Sequence, residues 1–159
     1  MAAESHLVCY LRQRRAAARD FTPADWSLLV REAQRNKLLS RVACLLREDD
    51  DLTLLPENLR RKLEGALRTA SGSSRSVRWE IKKIHAALAS VGIPLVLLKG
   101  AAYEAAGLPV ATGRLFVDVD IMVHRERLDE AERTLFQHGW FSTKTDAYDQ
   151  KYYRTWMHE

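Results

Sequence analysis

Residues 115–123 read LFVDVDIMV, and this run of β-branched and aromatic residues predicts a β-strand. Side chains alternate between the two faces of a strand, so Asp118 and Asp120 are expected to point the same way. The opposite face is expected to carry Val117, Val119, Ile121 and Val123. Two neighbouring carboxylates are costly to bury unless a cation neutralises them, and their oxygens suit a divalent ion. The sequence therefore predicts a metal site at Asp118 and Asp120.

A second motif lies upstream of this strand. Residues 94–98 form a short apolar run that predicts a strand covered on both faces, and a glycine turn into a helix follows at Lys99, Gly100 and Ala101. Backbone N–H groups at the start of a helix suit a phosphate, and Lys99 adds a full positive charge. Arg114 is either a further phosphate contact or a surface arginine at the entrance to the next strand. A phosphate site beside a metal site is the arrangement that phosphoryl and nucleotidyl transfer require.

The bulk composition is that of an ordinary globular protein. The chain has 159 residues, of which 47% are hydrophobic and 29% charged. The longest uncharged apolar stretch, residues 91–98, is too short to cross a bilayer, and the N-terminus lacks the apolar core of a secretory signal. Two cysteines, Cys9 and Cys44, do not suggest a disulfide framework. We therefore expect a cytoplasmic protein with no membrane partner.

Charge is distributed unevenly along the chain. Residues 1–90 contain 17 Lys or Arg and 11 Asp or Glu, whereas residues 91–159 contain 8 and 10. A basic part beside an acidic, metal-binding part could attract a polyanion such as RNA or a nucleotide. The simpler interpretation is favoured, in which arginines decorate solvated helix faces, because no aromatic residues are seen to interleave with the basic ones.

Residues 1–92 have the spacing and composition of helices. Residues 22–25, Thr-Pro-Ala-Asp, combine an N-cap, a first-turn proline and an acid at the positive end of the helix dipole. Further helices are predicted over residues 38–47 and 56–90. Within the last, residues 71–74 (Ser-Gly-Ser-Ser) lower the helix propensity and indicate either a break or a small-residue packing site.

After Gly92 the pattern changes to alternating strands and helices, which predicts a second unit over residues 93–159. Together the two units predict an α+β fold. Strands are expected over residues 94–98, 115–123, 140–143 and 148–157, and helices over residues 99–106 and 125–138.

In this arrangement the chain resembles the uncharacterised bacterial nucleotidyltransferase family of the DNA polymerase β-like superfamily. That family shows a Leu-Lys-Gly turn, a downstream arginine, an Asp-Ile-Asp type of strand, a helix and then a glycine followed by an aromatic strand. These features correspond here to residues 98–100, Arg114, residues 118–120, residues 125–138 and Gly139-Trp140. The resemblance covers about Phe21 to the end. It implies a helical N-terminal region packed on a small mixed β-sheet with flanking helices.

The resemblance also implies a reaction, in which a nucleoside monophosphate moves from an NTP to an acceptor hydroxyl. It implies Mg²⁺ or Mn²⁺ at Asp118 and Asp120, and a triphosphate near Lys99, Gly100, Ala101 and Arg114. The acceptor stays open between RNA, a protein and a small molecule.

Three departures from the family pattern bear on activity. Ala101 replaces the usual serine of the Gly-Ser turn, and Val117 stands where a small or polar residue often precedes the first aspartate. The third carboxylate of the superfamily has no convincing counterpart, since Asp146, Asp149 and Glu159 are candidates by position only. We therefore expect that the C-terminal part of the fold is lacking.

Three alternatives follow for what the chain does. The first is an inactive or shortened member that binds a nucleotide, RNA or a protein. The second is a glycosyltransferase with an Asp-x-Asp metal motif, and the third is a pair of solvent-facing aspartates without a ligand.

Overall fold

The computed structural model describes residues 5–142 and 156–158. The fold is α+β, as predicted, and is mainly helical. Its helices are α1 (His6–Gln13), α2 (Arg15–Ala18), α3 (Pro23–Arg35), α4 (Leu39–Glu48), α5 (Glu57–Ala89), α6 (Lys99–Ala105) and α7 (Leu128–Gln137). Its strands are β1 (Leu95–Leu97), β2 (Ile121–Val123), β3 (Trp140–Ser142) and β4 (Trp156–His158). Short 3₁₀ turns cover Asp51–Leu54, Pro109–Ala111 and Arg125–Arg127.

Helix α3 begins where the sequence predicts it. The Thr22 hydroxyl accepts a hydrogen bond from the Asp25 N–H, and the Asp25 carboxylate accepts one from the Thr22 N–H at 2.9 Å. This reciprocal capping box satisfies backbone donors that the first turn of a helix leaves without partners.

Helix α5 runs unbroken for 33 residues through the predicted weak point at residues 71–74. Two of the serines there contact residues that follow β1. The Ser73 hydroxyl accepts a hydrogen bond from the Phe116 N–H at 2.8 Å, and the Ser74 hydroxyl donates to the Glu104 carboxylate. Of the two interpretations of this segment, the packing site is therefore confirmed and the break is not.

The predicted strand at residues 115–123 is shorter in the structure. Only β2 is a strand, and it pairs antiparallel with β1 in the register Leu95↔Val123, Val96↔Met122 and Leu97↔Ile121. One further backbone hydrogen bond, from the Leu98 N–H to the Asp120 carbonyl at 2.9 Å, extends the ladder before α6 turns away. Residues 115–119, which precede this last hydrogen bond, pair with no strand within the described residues.

The sheets differ in two ways from the expectation. Val96 is 52% exposed, so the prediction that β1 is covered on both faces is wrong. Both described strand pairs are antiparallel, whereas the resemblance implied a mixed sheet. The second pair joins β3, which confirms the strand predicted after Gly139, to β4. Most of the strand predicted over residues 148–157 lies outside the described residues.

Two apolar cores lie at opposite ends of α5. The first is built from α1, α3, α4 and the start of α5, and includes Tyr10, Trp26, Leu29, Leu46 and Leu63. The second is smaller and includes Ile84, Leu88, Ile93, Leu135 and Trp140. Val119, Ile121 and Val123 pack against the second core, as the alternation predicts, whereas Val117 is 95% exposed.

The start of α4 packs against the loop that precedes Arg114. The Arg41 guanidinium Nη1 donates to the carbonyl oxygens of Pro109 at 2.7 Å and Thr112 at 2.8 Å. Gly113, at φ +70°, lies so close to α4 that an added Cβ would be 2.7 Å from the Arg41 Cα. This contact, which we call the seam, joins the helical region to the loop.

Cys9 and Cys44 are both free thiols. Across residues 5–142 and 156–158, no helix combines the length and apolar character that crossing a membrane requires.

Candidate functional site

A small cleft of about 180 Å³ lies beside the end of β1. Its lining residues are Lys99, Gly100, Arg114, Leu115, Phe116, Val117, Asp118 and Asp120. The structure thus brings together both aspartates, the lysine, the glycine and the arginine that the sequence singles out. Ala101, the remaining candidate, is buried and is not among the lining residues.

The pairing of β1 with β2 sets Asp120 opposite Lys99. The Lys99 ammonium lies 3.1 Å from the Asp120 Oδ1, and the Lys99 side chain is 69% exposed while that of Asp120 is 30% exposed. Asp118 is exposed at the rim of the cleft. A partly exposed ion pair of this kind contributes little to stability, so the pair does not need to persist when a ligand arrives.

Arg114 lies directly over Gly100. A Cβ at Gly100 would be 3.0 Å from the Arg114 Nε and 3.3 Å from the Phe116 ring, so any larger residue would displace the guanidinium or the ring. Helix α6 has only seven residues. The positive charge at this side of the cleft therefore comes chiefly from the side chains of Lys99 and Arg114.

Helix α5 supports the cleft from beneath. The Ser73 hydroxyl accepts a hydrogen bond from the Phe116 N–H. The Arg78 Nε donates a hydrogen bond to the Glu104 Oε1 at 2.6 Å. Glu104 on α6 is only 6% exposed, so its charge depends on Arg78 and Ser74 for compensation. Sequence reasoning missed these contacts, although a cluster of small polar residues in the middle of a long helix is the signal that points to them.

The donor set fits a magnesium-type ion. Such an ion is typically held by one or two carboxylates and completes its coordination with water and substrate phosphates. Asp118 and Asp120 supply two carboxylates at one cleft. Within the described residues there is no group of three or more His, Cys, Asp or Glu side chains arranged for a metal. The third-carboxylate candidates Asp146, Asp149 and Glu159 lie outside those residues.

A larger open depression lies along α7 and is no rival to this cleft. It measures about 410 Å³ and is lined by Asp129, Glu132, Arg133, Phe136 and Gln137. All of its lining comes from one helix surface. A binding site for a small molecule normally gathers polar groups that converge from several elements.

Comparison with known proteins agrees with the geometry. A family model described as "Uncharacterised nucleotidyltransferase" matches residues 22–158, which is most of the chain. No curated protein matches, and no solved structure matches. The family match favours nucleotidyl transfer over the glycosyltransferase alternative.

Proposed function

The chain belongs to the uncharacterised nucleotidyltransferase family, and on that basis we propose that it transfers a nucleoside monophosphate from an NTP to an acceptor hydroxyl, with release of pyrophosphate. One observation carries the proposal. Asp118 and Asp120 line the same small cleft as Lys99 and Arg114, so carboxylates for a metal ion and cations for a triphosphate face one another.

We propose that Asp118 and Asp120 hold Mg²⁺ or Mn²⁺. When bound, such an ion neutralises phosphate charge and lowers the barrier to displacement at phosphorus. Asp120 already faces a cation, the Lys99 ammonium at 3.1 Å, which shows that this carboxylate is oriented toward positive charge.

Lys99 and Arg114 bind and orient the triphosphate in this proposal. Arg114 presents a planar set of N–H donors that suits phosphate oxygens. It lies over Gly100, where the missing side chain leaves room for the guanidinium. Asp120, which would hold the ion, is also the carboxylate that Lys99 pairs with. With that carboxylate engaged by an ion, the Lys99 ammonium would be left to bind phosphate oxygens, so metal and nucleotide are expected to bind cooperatively.

The first test measures thermal stability with MgCl₂ and a non-hydrolysable NTP. Ligand at about 100 times its Kd stabilises a protein by roughly 2.7 kcal/mol, so the melting temperature should rise measurably. The variant Asp118→Asn/Asp120→Asn should lose this rise. Asp20→Asn, which removes an exposed carboxylate between α2 and α3, is the matched control and should retain it. A rise that survives in the double variant would contradict the proposed site.

A nucleotide-binding module without transfer is the second candidate. It is favoured by one observation, that the described residues supply two carboxylates to the cleft and no third. Release of pyrophosphate from labelled NTP in the presence of candidate acceptors separates the two functions. A stability rise with no pyrophosphate, across RNA, protein and small alcohols, would support the binding module.

A further inference from the structure

Helix α5 carries a basic face on the side opposite its core residues. Its members are exposed and lie three, four or seven residues apart, which places them on one side of a helix: Arg68, Arg75, Trp79, Lys82 and Lys83. The opposite side of the same helix is buried, and includes Leu63, Ala70, Val77, Ile84 and Leu88. We call the exposed set the α5 basic face.

Within residues 5–142 and 156–158, the stretch of helix that carries the α5 basic face has more basic than acidic side chains. Residues 68–83 contain five Lys or Arg and one acid, Glu80, and Arg78 is engaged by Glu104. Among the ion pairs of the described residues, none involves the other four cations of this stretch. The net positive charge of the face is therefore available to an external polyanion.

Trp79 adds an aromatic surface among these cations. The residue is 51% exposed, and the Lys83 Nζ lies 5.4 Å from the centroid of its ring. The sequence was interpreted in favour of solvated arginines because no aromatic residue was recognised among the basic ones. Trp79 is an aromatic residue that lies among these cations. Cations that follow a phosphate backbone, combined with an aromatic ring that stacks on a base, characterise surfaces that bind single-stranded nucleic acid.

We propose that single-stranded RNA docks on the α5 basic face. The face extends over 16 residues from Arg68 to Lys83, whose Cα atoms are about 22 Å apart along the helix, a length that suits a few nucleotides. Arg68, Arg75 and Lys82 repeat every seven residues, about 10.5 Å along the helix, and would contact phosphates spaced along the strand, while Trp79 stacks on a base between them. The choice of RNA over DNA rests on the proposed function, because the 3′ end of RNA offers two neighbouring hydroxyls as acceptors.

Fluorescence anisotropy with a labelled 12-nucleotide single-stranded RNA tests the docking directly, without NTP. Four phosphate contacts predict a slope of about −3 in log affinity against log salt, which weakens binding about fiftyfold between 50 and 200 mM salt. Trp79→Ala should weaken binding roughly tenfold or more, whereas Trp79→Phe keeps an aromatic ring and should stay close to the parent chain.

A pair of double variants separates this face from general electrostatic attraction. Arg75→Ala/Lys82→Ala should reduce the salt slope by about 1.4, since two phosphate contacts are lost. Arg31→Ala/Arg35→Ala removes the same charge from exposed positions on α3 and should leave both affinity and slope unchanged. Circular dichroism and melting temperature verify that all variants are folded.

Several results would overturn the inference. These are no RNA binding at 50 mM salt, equal losses in the two double variants, an unaltered affinity in Trp79→Ala, or equally tight binding of single-stranded DNA or an acidic peptide. The variant Asp118→Asn/Asp120→Asn should still bind RNA. If RNA binds but NTP gives no stability rise, the proposed function fails and the RNA surface stands. If NTP gives a stability rise but RNA does not bind, only the RNA surface is rejected.

Discussion

The helical region and the region after Gly92 differ in how they are stabilised. Among the described residues, the core of the helical region contains 14 buried residues and the second core seven, so most of the buried apolar side chains described lie away from the cleft. The second region also exposes large apolar side chains, including Val96, Val117 and Met122. The well-packed helical region therefore supplies most of the stability, and the thinly packed region after Gly92 contains the candidate site.

The weakness of the second region has a simple cause. Strands β1 and β2 have three residues each, and an isolated two-stranded sheet is marginal in water. Helix α5 compensates because it belongs to both cores, with Leu63 in the first and Leu88 in the second. The cleft therefore depends on a helix that is anchored in the other region.

The largest expected effect breaks the first core. Leu46→Ala should lower the free energy of unfolding by about 2–5 kcal/mol, because Leu46 is fully buried and its removal leaves a cavity. Val117→Ala, at a 95% exposed position beside the cleft, should change it by less than about 0.5 kcal/mol. Urea denaturation followed by circular dichroism measures both. Equal losses would show that the two regions do not differ as described.

The next effect concerns the seam between the regions. Gly113→Ala introduces a Cβ 2.7 Å from the Arg41 Cα at a positive φ, and should cost about 1–3 kcal/mol more than the strain of the conformation alone. Gly107→Ala is the matched control, since Gly107 has a similar φ of +63° with no atom within 4 Å of the added Cβ. Thermal denaturation should separate the two variants, and only Gly113→Ala should also weaken the response to NTP, through the displaced Arg114. Identical melting temperatures would contradict the tight contact.

The smallest effect is a pH dependence at Glu32 in the helical region. Hydrogen bonds from the Ser5 hydroxyl at 2.7 Å and the Leu7 N–H at 2.8 Å hold the pKa of Glu32 below its ordinary value of 4.5. A lowered pKa stabilises the fold above the ordinary value, and that contribution is lost as the pH falls through the lowered pKa. Glu32→Gln should therefore be less stable than the parent at pH 7, with a difference that shrinks below pH 4.5.

Urea midpoints at pH 7 and pH 3 measure the effect at Glu32. Ser5→Ala, which removes one donor, should reduce the same difference without abolishing it, because the Leu7 N–H still donates. A constant difference between parent and Glu32→Gln at both pH values would show that the carboxylate does not act through its ionisation.

Features encoded by neighbouring residues could be predicted from the sequence. The capping box at Thr22 and Asp25 needs only a spacing of three residues, and helix α3 begins as predicted. The unbroken course of α5 was ambiguous, because local propensity disfavours residues 71–74 while the contacts of Ser73 and Ser74 with distant residues favour helix. Tertiary contacts decide in such cases.

Five of the six candidate residues from the sequence, all but Ala101, line one cleft, but the architecture of that cleft was not predicted. The Asp-x-Asp spacing and the Lys-Gly turn identify the residues that line the cleft, because their chemistry is local. The position of Arg114 over Gly100 and the bonds from Arg41 to the loop depend on how α4 meets residues 109–113. Such encounters between distant segments leave no periodicity in the sequence.

The backbone conformation of Lys99 bears on how the stability of this protein can be raised. Lys99 adopts φ +47°, a conformation that costs an L-residue roughly 1 kcal/mol and that glycine adopts without penalty. Lys99→Gly would therefore relieve the backbone strain, but it would also remove the ammonium that faces Asp120. At this position, relief of backbone strain and retention of a cation in the candidate site are opposing goals.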